Sequence, residues 1–120
     1  MTLPQNNGKT YIIRLAKFYS AIYLKRFGCR PTLNFKMLGR ILKPLFTKYG
    51  EVRTAAIILV HFEQTGAQII EARFPIQWVA RHADEYLLFL EREREVDTFD
   101  DEALLDAIKN RCKYLDIKYF

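Results

Sequence analysis

The chain has 120 residues, half of them hydrophobic and 28% charged, with a formal net charge of +5. That length fits one domain, and the composition excludes a wholly disordered chain, a collagen-like fibre and a disulfide scaffold. No apolar run approaches the ~18 residues of a membrane span, and Met1 to Gly8 lacks the basic-then-apolar layout of a secretory leader, so a cytoplasmic protein is expected.

Residues 1–8 are polar, with Pro4 and Gly8, and read as a flexible arm before a single helical domain over 9–120. Thr10 is a candidate cap for a helix over about 11–27, with Gly28 as its left-handed stop. Ile12, Leu15, Tyr19, Ile22, Tyr23 and Phe27 recur at three- and four-residue steps and form its apolar stripe. Cys29 to Leu33 read as a turn. Asn34 caps a second helix from Phe35, in which Pro44 predicts a kink or a break. Met37, Leu38, Ile41, Leu42, Leu45 and Phe46 are its apolar face. Lys36, Arg40 and Lys43, spaced four and three apart, form a basic ridge.

Tyr49-Gly50 ends that element, and a third helix follows over about 52–63. Its centre, Ala55 to Val60, is apolar all round and predicts a buried core helix, with a buried strand as the competing reading. Residues 67–73 remain open between a loop and a short strand. Phe74-Pro75 opens a fourth helix that Asp84 is able to restart, and Thr98 with Asp101 and Glu102 makes a near capping box for a last helix over about 99–115. Its buried face is Leu104, Leu105, Ile108, Cys112 and Leu115. The expected fold is mainly α, a compact bundle of about five helices.

Chemistry that marks an enzyme is not visible. There is no Gly-rich loop ahead of a Lys-Ser/Thr pair, and Ser20, the only serine, has no local base. His61 and His82 lack metal spacing; His61 reads as a hydrogen-bonded core residue and His82 as a solvated helix end. Cys29 and Cys112 are isolated thiols, expected as small core hydrophobes. The acids from Asp97 to Asp106 do not follow the calcium-loop order. No catalytic residue, cofactor or metal is expected.

The charge is divided between the halves. Residues 1–60 carry eleven cations and one carboxylate, Glu51, a net of +10, whereas residues 61–120 carry eight cations against thirteen carboxylates, a net of −5. A half so basic repels itself unless the acidic half or an external anion offsets it. Nucleic acid is the first expectation for that anion, mutual neutralisation of the two halves the second, and a membrane surface the last. Aromatic rings are interleaved with the cations, the combination that holds single strands: cations follow the phosphates and ring faces stack on bases. The expected contacts are Lys9, Arg14, Lys17, Lys25, Arg26, Arg30, Lys36, Arg40, Lys43 and Lys48, with Tyr11, Phe18 and Tyr49 as the rings free to stack. The turn at Tyr49-Gly50-Glu51 suggests a helix-turn-helix. The helix after it presents Ala55 to Val60, which cannot read base edges, so sequence-specific major-groove readout is disfavoured.

Two stretches carry a resemblance. Tyr23, Phe27-Gly28, Pro31, Leu38, Leu42, Leu45, Tyr49-Gly50 and the apolar helix ending at His61-Phe62 resemble, over about 11–66, small helical modules of phage-encoded replication and transcription accessory proteins. The acidic stretch ahead of Asp116-Ile117-Lys118-Tyr119-Phe120 is similar to the acidic, Phe-terminated tip of bacterial single-stranded-DNA-binding proteins, which recruits partners. That family has Pro where Tyr119 stands, a longer tail and a β-barrel, so no fold is carried over; Ile117, Tyr119 and Phe120 are the residues the likeness implies for docking. A terminal aromatic packed into a dimer interface fits equally well.

The expectation is a non-enzymatic protein that binds single-stranded DNA without strong sequence preference. The resemblance implies a phage or mobile-element replication or transcription setting, with a polymerase or helicase component as partner. The extensive apolar faces imply a homo-oligomer. The rivals are a protein-interaction module, an inhibitor or adaptor of such an enzyme, and duplex binding through backbone contacts.

Overall fold

The computed structural model describes residues 3–32, 34–64, 66–94 and 100–117. Its helices are α1 (Leu3–Phe27), α2 (Phe35–Phe62), α3 (Ala67–Glu71), α4 (Gln77–Arg94) and α5 (Asp101–Leu115), and no strand occurs among the described residues. This is the mainly α bundle that the apolar stripes predict.

The bundle is organised around α2, which packs against α1, α4 and α5. The cause is local: every residue from Thr54 to Phe62 is buried. A helix apolar on all sides has to be covered on all sides, and three neighbours are the means. The strand reading of Ala55 to Val60 therefore falls. Phe18, Tyr19 and Ile22 of α1, Val79 and Tyr86 of α4, and Leu104 and Ile108 of α5 belong to the same core. Rings chain through it, with centroids 4.6 Å apart for Tyr23–Phe27, 5.2 Å for Tyr19–Phe62 and 5.4 Å for Phe62–Phe74. Such tilted contacts add to the area the rings bury.

α2 breaks at Gly50, where the sequence places the end of the second helix, and the further kink or break expected at Pro44 does not occur. Helical dihedrals continue through Pro44, which removes the donor that the Arg40 carbonyl would use, but it does so on the exposed side where solvent serves that carbonyl. Gly50 instead takes φ 82° and ψ 177°, a region essentially closed to side chains. The Thr54 hydroxyl donates to the Gly50 carbonyl at 2.7 Å, and the helix resumes. Gly28 closes α1 as expected, with φ 73° and its N–H donating to the Leu24 carbonyl at 2.8 Å.

Other boundaries differ from the sequence expectation. Residues 3–8, read as an arm, belong to α1; Pro4 falls in its first turn, where a missing N–H is tolerated. The open stretch 67–73 is not a strand: Ala67–Glu71 is one short helix, and Ile69 is its buried anchor. Arg73 and Phe74 then both adopt left-handed φ, 59° and 51°. Phe74 is fully buried, so packing enforces a conformation that a bulky residue otherwise avoids. α4 begins at Gln77, after Pro75, and runs through Asp84 without restarting. α5 is capped by Asp100, whose carboxylate accepts from the N–H groups of Glu102 and Ala103 at 3.1 and 3.3 Å. Thr98 lies outside the described residues. Cys112 is buried as expected, but Cys29, just past the end of α1, is exposed.

Candidate functional site

The expected cations divide into two groups. Lys17 on α1, Arg30 in the α1–α2 connection, and Lys36, Arg40 and Lys43 on α2 are exposed. None of these five pairs with a carboxylate among the described residues. At roughly 100° per residue, Lys36, Arg40 and Lys43 fall on one side of α2, opposite the buried Leu38, Leu42 and Leu45. The ridge therefore faces away from the core.

The second group is already engaged. Arg14 Nε lies 3.4 Å from Glu51, Lys25 Nζ 3.5 Å from Asp116, and Lys48 Nζ 3.9 Å from Asp84. The Lys25 and Lys48 pairs are exposed and screened by solvent, so an incoming phosphate displaces their carboxylates at little cost, whereas the Arg14–Glu51 pair is more enclosed, with the Glu51 side chain 15% exposed. Arg26 is held differently. Its Nη1 donates to the Phe62 carbonyl at 2.9 Å, and its guanidinium carbon stands 4.4 Å from the Phe74 ring centroid. Arg26 thus ties the end of α1 to the end of α2, a structural task that it performs while remaining exposed. The Lys9 side chain lies outside the described residues.

The rings require a larger correction. Phe18 is only 2% exposed and has no face to offer a base. It stands three residues after Leu15 and four before Ile22, which places it on the stripe rather than off it. Tyr11 is half-buried and stacks on Phe46, with centroids 5.6 Å apart and ring planes 26° apart; Arg14 approaches the same Tyr11 ring at 5.7 Å. Tyr49 is half-buried, and its hydroxyl donates to the Asp84 carboxylate. Burial first, and the Asp84 contact second, push the Tyr49 phenol up, so it keeps its proton and remains the donor. Lys48 Nζ sits 5.1 Å from the Tyr49 ring centroid.

Sequence reasoning missed Phe35. Its ring is 49% exposed and stacks on no other ring among the described residues. The available signal was its place as the first residue of a helix, where only the preceding connection is in position to cover it. Asn34 beside it is the N-cap, accepting from the Met37 N–H at 2.9 Å.

The histidines serve structure. His61 is fully buried, its Nδ1 lies 3.1 Å from the Tyr86 hydroxyl, and its Nε2 has no hydrogen-bond partner among the described residues. Burial lowers its pKa from 6.5 to about 4, against the pull of the Phe74 and Pro75 carbonyls. His82 pairs with Glu85 one turn along α4, at 3.3 Å. No group of three or more His, Cys, Asp or Glu side chains fit for a metal ion occurs among the described residues.

At the carboxyl end, the Ile117 N–H donates to the Cys112 carbonyl at 2.8 Å, and its side chain packs against the core. Ile117 is therefore part of the close of α5 rather than a free docking tip. Tyr119 and Phe120 lie outside the described residues. No helix among the described residues is long and apolar enough to cross a membrane. Comparison of the chain with family models, with curated proteins and with solved structures returns no match.

Proposed function

We propose that the protein binds single-stranded nucleic acid, DNA in the first instance, through the outer faces of α1 and α2. The observation that carries this reading is the set Lys17, Arg30, Lys36, Arg40 and Lys43: five exposed cations on one half of the chain with no carboxylate among the described residues to neutralise them. Each releases counterions when it meets a phosphate, which drives binding without base recognition. Arg14, Lys25 and Lys48 extend the surface once their carboxylates yield. Tyr11, Tyr49 and Phe35 supply partly open rings. The proposed setting, phage or mobile-element replication or transcription, is supported by the resemblance over residues 11–66 alone.

The test is fluorescence polarisation of a labelled oligothymidylate over a salt series, with unlabelled duplex as competitor. Five phosphate contacts give a log–log slope of about −3 to −4 for a single strand. Replacing Lys36, Arg40 and Lys43 with Ala lowers the magnitude of that slope by about 2, at about 0.7 per phosphate. Duplex competing as well as single strand redirects the reading to backbone-directed duplex binding. No binding at low salt overturns it in favour of a protein-interaction module.

A further inference from the structure

A groove runs between the outer face of α1 and the connection that leads into α2. It is open to solvent, encloses about 640 Å3, and is lined by Lys17, Ser20, Leu24, Arg30 and Phe35 among others, none of which carries a carboxylate. The volume falls within the range of about 300–1,000 Å3 found for small-ligand clefts. Its apolar part is open to solvent: Leu24 is 43% exposed and Phe35 49% exposed. Two cations without carboxylate partners among the described residues therefore share one concavity with an unstacked aromatic face and with the Ser20 hydroxyl.

We propose that this groove seats one nucleotide of the bound strand, with the base stacked on Phe35 and the flanking phosphates on Lys17 and Arg30. The assignment rests on the single-strand reading above and adds to it the place where a base leaves solvent. Charge selects the occupant. An apolar peptide face gains nothing from Lys17 and Arg30, and a free phosphate gains nothing from Phe35 and Leu24, whereas a nucleotide uses both. Ring stacking also tolerates any base, in keeping with binding that ignores sequence. A second groove continues from the first through Ala21 and Leu24, encloses about 480 Å3, and is flanked by the Lys25–Asp116 pair. The Asp116 carboxylate there repels phosphate, so the seat belongs to the first groove and not to its continuation.

The other exposed phenylalanine among the described residues provides the control. Phe89 is 38% exposed but lies on α4, away from the groove lining. In the polarisation assay with oligothymidylate, Phe35→Ala and Phe35→Leu each weaken binding by about 5- to 100-fold, the range for loss of one base–ring stack, and leave the salt slope unchanged. Phe35→Leu keeps the apolar volume, so its loss reports the ring rather than the packing. Phe35→Trp retains wild-type affinity or exceeds it, and Phe89→Ala binds as wild type. Lys17→Ala with Arg30→Ala reduces the magnitude of the salt slope by about 1.4. Circular dichroism establishes that each variant keeps its helices. Salt-sensitive wild-type binding that Phe35→Leu and Phe35→Ala leave unchanged overturns the seat while the single-strand reading stands. Absence of wild-type binding overturns both.

Discussion

The hydroxyl of Tyr19 donates to the carbonyl of Phe74 across 55 positions of sequence, at 2.8 Å and away from solvent. The bond joins the middle of α1 to the left-handed corner that precedes α4. It satisfies the carbonyl of a residue whose backbone is strained and whose ring lies under Arg26. Burial pushes the Tyr19 phenol up, so the group stays a donor throughout the working pH range. Tyr19→Phe leaves the Phe74 carbonyl buried without its partner, and the expected cost is about 1–3 kcal/mol in urea unfolding. An unchanged midpoint means that another donor reaches that carbonyl.

Arg26 makes a related contact at the neighbouring helix ends. Arg26→Ala removes a charge-assisted hydrogen bond to the Phe62 carbonyl and a cation–ring contact with Phe74, and lowers stability by about 1–2 kcal/mol. The salt slope of oligonucleotide binding stays at the wild-type value. The reverse pattern, full stability with a shallower slope, returns Arg26 to the phosphate contacts.

Two glycines of α2 respond with opposite signs. Gly50→Ala meets no neighbouring atom, yet it forces a side chain into φ 82°, at a cost of about 1–3 kcal/mol. Gly39 lies within the helical stretch, and an added methyl comes 3.5 Å from Ile12 Cγ2, an ordinary contact. Gly39→Ala therefore stabilises by about 0.5–1 kcal/mol through backbone entropy. Thermal unfolding of the two variants reads both signs; a stable Gly50→Ala shows that α2 straightens freely.

His61 makes stability depend on pH. Above 6.5 the imidazole is neutral in both the folded and the unfolded chain and adds no pH dependence. Below 6.5 the unfolded chain takes up a proton that the folded one refuses, so stability falls as pH drops. The fall ends near pH 4, where the folded imidazole also protonates. Across that window the loss is on the order of 3 kcal/mol, at about 1.4 kcal/mol for each pH unit crossed. Urea midpoints from pH 7 to pH 4 for wild type and His61→Leu isolate it from the carboxylates. Parallel curves mean that the folded imidazole takes up its proton as readily as the unfolded one.

Most of the helices were legible because their apolar positions recur at helical steps, and Ala55 to Val60 was legible as core because it has no polar side. Ends were harder. Asp100 caps α5 by the same chemistry that Thr98 offers, and only the fold selects between them. The break at Gly50 was legible from the Tyr49-Gly50 pair, but Pro44 suggested an additional one, because sequence does not reveal that Pro44 faces solvent. Residues 67–73 were ambiguous because one buried anchor, Ile69, carries no period. At the candidate site, the basic ridge followed from spacing alone. The rings did not: Phe18 shares the face of Leu15 and Ile22, while Phe35 is left open by what the connection before it fails to cover.

The break at Gly50 also divides α2 into two segments with different surroundings. In an uninterrupted helix the line through Lys36, Arg40 and Lys43 continues, at roughly 100° per residue, to Thr54, Ile58 and His61. Those three are wholly enclosed. The same azimuth is thus wetted before residue 50 and enclosed, together with every other azimuth, after it, so α2 is a flank in its first half and an axle in its second. Charge on the flank is thereby free to vary without rewriting the register of the axle.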